Sequence, residues 1–185
     1  NSFLCVQLKL MMYNFGSHDL PVKISNKQTN KSVYNYIGNK TNIIITGSKK
    51  TETEELHFSA KNLWLKRNAS APDIINAHKN TEKKFKNLWI KKNFLFVHGK
   101  KFCRITNNKY QQFASPEKLK LDYLIISKNA NVTMTSLKEL FDFKKIIIDS
   151  SNSYYKRKRL IKKLEKQKIP YHSVAEDGAF HIRFS

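Results

Sequence analysis

Apolar positions in this chain follow two rhythms. In the first half they come in short runs that alternate, or nearly alternate, with polar residues: 3–12, 32–37, 42–46, 56–65, 87–90, 93–98 and 102–106. A period of two marks a strand with one buried face. Gly38-Asn39-Lys40 separates two of these runs, and Gly99-Lys100-Lys101 separates another two, so each pair reads as a hairpin. The polar stretch 66–86 reads as a loop or a loose helix. In the second half the rhythm changes. Strands are predicted over 121–127, 145–149, 169–174 and 179–184, with helices over 136–143 and 153–168. Strands alternating with helices predict βαβ units and some parallel sheet. The whole predicts an α/β (α+β) sandwich of mixed sheets covered by outer helices. No repeat or low-complexity linker divides the chain, so 1–185 is expected to be a single domain.

Composition narrows the picture. At 40% hydrophobic and 12% aromatic, the chain has enough apolar surface for a packed core and needs no staple. Cys5 and Cys103 form no CxxC pair and no disulfide framework, and each is expected to be a buried, inert thiol. No apolar run approaches the roughly 18–20 residues of a membrane-spanning helix, and no signal peptide opens the chain. The first residue is Asn1, so the sequence is expected to be a piece of a longer protein. The Asn-x-Ser/Thr sequons at Asn30, Asn39, Asn68 and Asn131 are what chance gives in an Asn-rich chain.

Charge adds a partner. With 35 basic and 14 acidic residues the net charge is +21, which suits a polyanion: nucleic acid or an acidic membrane surface. A second origin is an AT-rich coding sequence, since Lys far outnumbers Arg. The positive charge concentrates on the helix beginning YYKRKRLIKKLEK. Leu160, Ile161 and Leu164 make its apolar stripe, while Lys156, Arg157, Arg159, Lys162, Lys163 and Lys166 lie mostly off it. Such a face is either solvated or set against phosphates, with contacts that carry affinity rather than sequence specificity. Trp64, Trp89, Tyr110 and Phe113 are candidates for base stacking or for the core.

Catalytic chemistry is thin. Residues 127–137, SKNANVTMTSL, join a strand to a helix, a place where hydrolases gather metal ligands. They offer Lys128, Ala130, Val132 and Thr133, a cation and side chains with little or no donor chemistry. His18, His57, His78, His98, His172 and His181 occur singly, without HxH or HExxH spacing. There is no Gly-x-Ser-x-Gly elbow and no Gly-rich phosphate cradle. Ser150-Ser151-Asn152-Ser153 reads as a loop with Ser153 or Asn152 as helix N-cap. Asp149, at the end of an apolar strand, is either a functional carboxylate or a capping or pairing group. The same holds for Asp122, Glu176 and Asp177.

Three segments together resemble the C-terminal domain of the ComEC family of DNA-internalisation competence proteins, which looks like a metallo-β-lactamase fold. In YNYIGNKTNIII, residues 34–45, Gly38 falls on the first turn glycine of the family's xLDVGQGDSxxI, while Tyr36, Lys40 and Thr41 depart from it. Residues 121–137 are similar to the strand followed by SHPDADHxGGL. Ser127 and Leu137 match its ends. Lys128 stands at the first ligand His, Ala130 and Val132 at the two Asp, and Thr133 at the second His. Thr135 and Ser136 replace the paired Gly. From Ile146 to Phe184, Asn152, Tyr154, Leu160, Leu164, Gly178 and Ala179 stand at corresponding places, and Tyr155-Lys156 replaces the expected His-Pro.

The resemblance implies a metallo-β-lactamase-like αββα sandwich, reduced or degenerate. It implies a part of an inner-membrane protein that admits single-stranded DNA in natural transformation, this domain being soluble on one side. DNA and the membrane-channel part of the same protein are the expected partners. With the ligand loop degenerate at Lys128, Ala130, Val132 and Thr133, no catalytic or metal-binding residue and no cofactor is expected. The role expected is to contact or guide DNA, or to brace the channel. The alternatives are a stand-alone sequence-independent nucleic-acid-binding module, a residual metal-dependent nuclease with displaced ligands, and a purely structural domain.

Overall fold

In the computed structural model, residues 2–6, 33–38, 41–46, 64, 68, 70–76, 82–112 and 116–184 are described. Alternation sorts the strands into two sheets facing each other. The five-stranded sheet runs β12-β1-β2-β3-β4, from Phe180–Phe184, Ser2–Val6, Val33–Gly38, Thr41–Thr46 and Asp73–Asn76. The seven-stranded sheet runs β11-β10-β9-β8-β7-β6-β5. Its strands are Tyr171–Ser173, Phe141–Ile148, Leu119–Ile126, Lys100–Ile105, Phe94–Val97, Leu88–Lys91 and Glu82–Phe85. Strands β8 to β11 are parallel neighbours, and β5 to β8 are antiparallel, so this sheet is mixed.

Between the sheets, Tyr34, Tyr36, Ile43 and Ile45 meet Leu88, Ile90, Leu95, Val97, Phe102, Ile125 and Ile147. These are alternate positions on their strands, as a two-faced sheet requires. A second cluster lies on the outer side of the parallel strands. There Cys103, Ile105, Leu124, Ile126, Ile146 and Ile148 pack against helix α1 (Met134–Leu140) and helix α2 (Tyr154–Lys166). Leu160, Ile161 and Leu164 are the buried stripe of α2, as its periodicity predicts. Trp64, in helical backbone, caps the outer side of the other sheet and donates its indole N–H to Asn35 Oδ1 at 2.9 Å. The architecture is thus the expected α+β sandwich.

Several element boundaries differ from the sequence reading. The stretch 66–86 contains strands β4 and β5, which are polar because they lie at sheet edges, where charge is tolerated. The tight turn near Gly99 is made by His98 and Gly99, at φ 45° and 75°, and Lys100 and Lys101 already belong to β8. Two consecutive positive φ values suit a two-residue hairpin turn, which fixes the turn one residue earlier than glycine alone suggests. Helix α1 starts two residues early because Thr133 caps it, accepting from Ser136 N at 3.3 Å. It passes directly into β10 at Phe141, so that strand begins four residues before the expected 145. The expected strand 169–174 is only β11, and Val174–Asp177 forms the short helix α3, ended by Gly178 at φ 85°. The readings of strand 56–65 apart from Trp64, of the Asn39-Lys40 turn and of residues 7–12 lie outside the described residues.

Cys103 is free and buried, and burial pushes its thiol up to about 12. The thiolate is the reactive form. In a Cys5→Ser background, Ellman reagent at pH 8 should therefore modify this thiol orders of magnitude more slowly than free cysteine. Full reactivity should appear only in denaturant.

Candidate functional site

The parallel register places Ile126 beside Ile148, so Ser127 and Asp149 leave adjacent strands side by side. Asp149 is fully buried and acts as a hub. Ser151 N donates to its Oδ1 at 3.0 Å, joined there by Ser151 Oγ and by Asn152 Nδ2 at 3.3 Å. To Oδ2, Ser127 Oγ donates a hydrogen bond and the Tyr34 hydroxyl donates at 3.5 Å from the facing sheet. A carboxylate has about four lone-pair sites. Those of Asp149 are taken up by the protein's own donors.

The two loops are stitched together around this hub. Lys128 N donates to Ser151 Oγ at 2.7 Å, Asn129 N to Asn152 Oδ1 at 3.0 Å, and Ser153 N to Asn129 Oδ1 at 2.7 Å. Asn152 Nδ2 donates to the carbonyls of Ile126 and Asp149 at 2.7 and 2.9 Å. Lys128 and Asn129 adopt left-handed backbone, with φ of 55° and 57°, which turns the chain sharply enough for these bonds. Ser153 is the N-cap residue of α2, but its side chain makes no cap bond. Asn152 instead ties the two loops together.

Cations surround the same corner. Arg104 is buried on β8, and its charge reaches both Tyr34 and Lys128. Partial burial, then the Arg104 charge, lowers the Lys128 ammonium below its ordinary value, against the pull of Asp149. The space near Tyr34 and Arg104 amounts to about 30 Å³, room for about one water. The cluster contains a buried carboxylate, hydroxyls and positive charges, and no imidazole or thiolate. Among the described residues no group of three or more His, Cys, Asp or Glu is placed to hold a metal ion. A catalytic zinc wants three protein ligands with free lone pairs. The donor set here does not fit one.

Lys128, Ala130, Val132 and Thr133 have ordinary structural places. Val132 is in the core, Ala130 packs against it, Thr133 caps α1 and Lys128 is exposed beside the hub. The other acids are engaged elsewhere. Asp122 pairs with Lys144 at 2.9 Å and accepts from Lys101 N at 3.0 Å, Glu176 pairs with Lys158 at 3.4 Å, and Asp177 accepts from Ser173 N at 2.8 Å. His98 meets the Tyr36 hydroxyl at 3.1 Å and stacks on Phe184, and His172 Nε2 donates to the Gly178 carbonyl at 2.9 Å. These are packing roles. His18, His57, His78 and Phe113 lie outside the described residues.

Beside the loop lies a shallow groove of about 40 Å³, lined by Ala130, Asn131 and Val132 and by Lys156, Arg157, Arg159 and Lys163 of α2. Lys156, Arg159 and Lys163 are exposed. Their spacings of three and four residues put them on one helix face. Arg157, expected on the outer face, is buried: its Nη1 donates to the Asn152 carbonyl at 2.6 Å, and its Nε has no hydrogen-bond partner among the described residues. Lys162 and Lys166 are exposed but do not line the groove. Tyr155 is 84% exposed in the first turn of the same helix. Of the four aromatic candidates, Trp64 and Tyr110 are buried and Trp89 is half-buried on the outer sheet face.

The sequence reading left out Tyr34, Arg104, Ser127 and Ser151 as members of the hub. One signal was present: Arg104 interrupts the apolar run from Phe102 to Ile105 within β8, and a buried guanidinium needs negative charge or carbonyls nearby.

Fold and corner together define a two-sheet α+β sandwich whose loop corner is closed by its own carboxylate hub, with a basic helix at its rim. The family model described as the ComEC C-terminal domain matches residues 22–184, and the chain belongs to that family, which acts in DNA uptake during natural competence. No curated protein and no solved structure matches the chain. No helix among the described residues is long and apolar enough to cross a membrane.

Proposed function

We propose that this domain is a non-catalytic DNA-handling part of a ComEC-type uptake protein, holding or guiding DNA beside the membrane channel through sequence-independent phosphate contacts. One observation carries this reading. The loop where a metal hydrolase would gather its ligands borders a groove lined by Lys156, Arg157, Arg159 and Lys163. The buried Arg157 Nε, without a partner among the described residues, supports an anion there, because a buried unpaired N–H is costly. Cations on backbone phosphates give affinity without sequence preference, which suits a protein that must pass any sequence. A hub whose lone pairs are occupied supports the absence of hydrolysis.

Titration of labelled DNA at 50 and 200 mM salt tests the reading. With about three phosphate contacts, affinity should fall about 40-fold between the two conditions. Reversing Lys156, Arg159 and Lys163 together to Glu should weaken binding at least about tenfold and flatten the salt dependence. Absence of binding at low salt would favour a bracing or structural domain whose charge reflects coding bias. DNA degradation by the purified protein that a chelator stops would overturn the non-catalytic half.

A further inference from the structure

The outer face of the seven-stranded sheet is covered by α1 and α2 over its parallel half. On the antiparallel half, strand register lines up Lys84, Trp89, Phe96 and Lys101 in one row across β5, β6, β7 and β8. Residues directly opposite one another share a face. Trp89 and Phe96 are half-buried, and neither belongs to a hydrophobic core cluster of the described residues. Their rings stack at 4.7 Å with an interplanar angle of 21°, and Phe94 continues the strip at 6.4 Å and 24° from Phe96. The ammonium groups of Lys84 and Lys91 sit 5.2 and 5.6 Å from the Trp89 ring centre. Glu82 accepts the Trp89 indole N–H at 3.0 Å, which fixes the ring plane, and its charge is met by Lys91 at 3.3 Å.

The two rings cover one face of each other, which leaves the outer face of Trp89 beside the exposed side chains of Lys84 and Lys91; with Lys101 at the other end of the row, this matches a ligand that is flat and apolar in one part and anionic in the next. Unpaired nucleotides have that alternation. A duplex hides its base faces in its own stack and can use only the cations. A second copy of a chain carrying +21 would meet its own charge. We propose that this face is a stacking platform for single-stranded nucleic acid, with a base on Trp89, backed by Phe96, and phosphates on Lys84, Lys91 and Lys101. The proposal rests on the DNA-handling reading and deepens it, since it assigns the strandedness.

A cross-strand aromatic pair also stabilises a hairpin, so the test must separate binding from folding. The full chain is titrated with oligothymidylate, with a duplex of equal length and with phosphatidylserine vesicles, following indole emission and the anisotropy of labelled DNA. The single strand should bind more tightly than the duplex and quench the indole. Trp89→Ala should weaken single-strand binding about tenfold or more and leave duplex binding unchanged, while Trp89→Phe should retain most of the affinity. Should Trp89→Ala fail to fold, Lys84→Glu combined with Lys101→Glu keeps the rings and should still weaken single-strand binding about tenfold. Unchanged single-strand affinity in these variants overturns the platform, as does quenching by vesicles without quenching by the oligonucleotide. If the platform fails while the α2 charge reversals still lower DNA affinity, the DNA-handling reading stands. If the unaltered chain binds no DNA at low salt, both fall.

Discussion

Asp149→Ala is expected to lower the unfolding free energy by about 3–5 kcal/mol, the range seen when one partner of a buried charged network is removed. For a chain of this size that corresponds to a fall in Tm of about 6–20 °C. The cost arises because the Ser151 amide and the Ser127, Ser151 and Tyr34 hydroxyls all lose their acceptor in a buried corner, while Asn152 Nδ2 keeps the Ile126 and Asp149 carbonyls. Asp149→Asn should cost less, about 1–3 kcal/mol, because hydroxyls can rotate to accept from the new amide while the Ser151 N–H cannot. Urea titration of the three proteins measures the series. A carboxylate kept for chemistry behaves the opposite way: removing it commonly leaves stability unchanged or raises it. Equal or greater stability of Asp149→Ala would therefore return this corner to the list of catalytic candidates.

The second large effect lies at alkaline pH. Burial, reinforced by the neighbouring Asp149 charge, pushes the Tyr34 phenol up to about 12, against about 10 for an exposed one. Below pH about 10 both the folded and unfolded chains hold this proton, and the stabilisation is fully present. Between about 10 and 12 the unfolded chain releases the proton first, so stability falls as pH rises. Two pKa units correspond to about 2.7 kcal/mol. Tyr34→Phe removes this share and keeps the ring, so urea midpoints of the variant should decline less steeply than those of the parent between pH 9 and 12. Deprotonation of lysines and of Cys103 affects both proteins alike and cancels in the comparison. Parallel declines would show that the hydroxyl is not held neutral in the sandwich.

Local rules were enough for much of this molecule. The buried stripe Leu160, Ile161 and Leu164, the run LDYLII of β9 and the turn near Gly99 were legible because period and turn chemistry act over a few residues. Strands β4 and β5 were not, because Asp73, Lys83 and Lys84 look like loop residues until their place at a sheet edge is known. The same limit governs the two candidate sites. That Lys128, Ala130, Val132 and Thr133 offer little ligand chemistry could be read directly, since it needs only residue identities. The hub could not: Tyr34, Arg104, Ser127 and Asp149 come from four strands or strand ends, and only the packing of two sheets brings them together. Arg157 shows the converse. Its charge suggested an outward cation, although 157 shares the helix face of 160, 161 and 164, and the Asn152 carbonyl gives the buried guanidinium a partner. Trp89 was readable as a candidate aromatic, but its alignment with Lys84, Phe96 and Lys101 is a property of strand register alone.

Strand β1 lies between β2 and β12, so Ser2 is hydrogen-bonded across to the neighbourhood of Phe184. Closing so long a loop is slow, and contacts between residues this distant in sequence lower the folding rate. The antiparallel meander β5–β8 has neighbours only a few residues away and can assemble early. During vectorial synthesis β1 must therefore wait for β12, and until then β1 is itself the edge of the sheet. Removing Phe180–Phe184 would pass the sheet edge from β12, with its His181 and Arg183, to β1, whose sequence SFLCV carries no charge, and the predictable outcome for such a fragment is self-association through it.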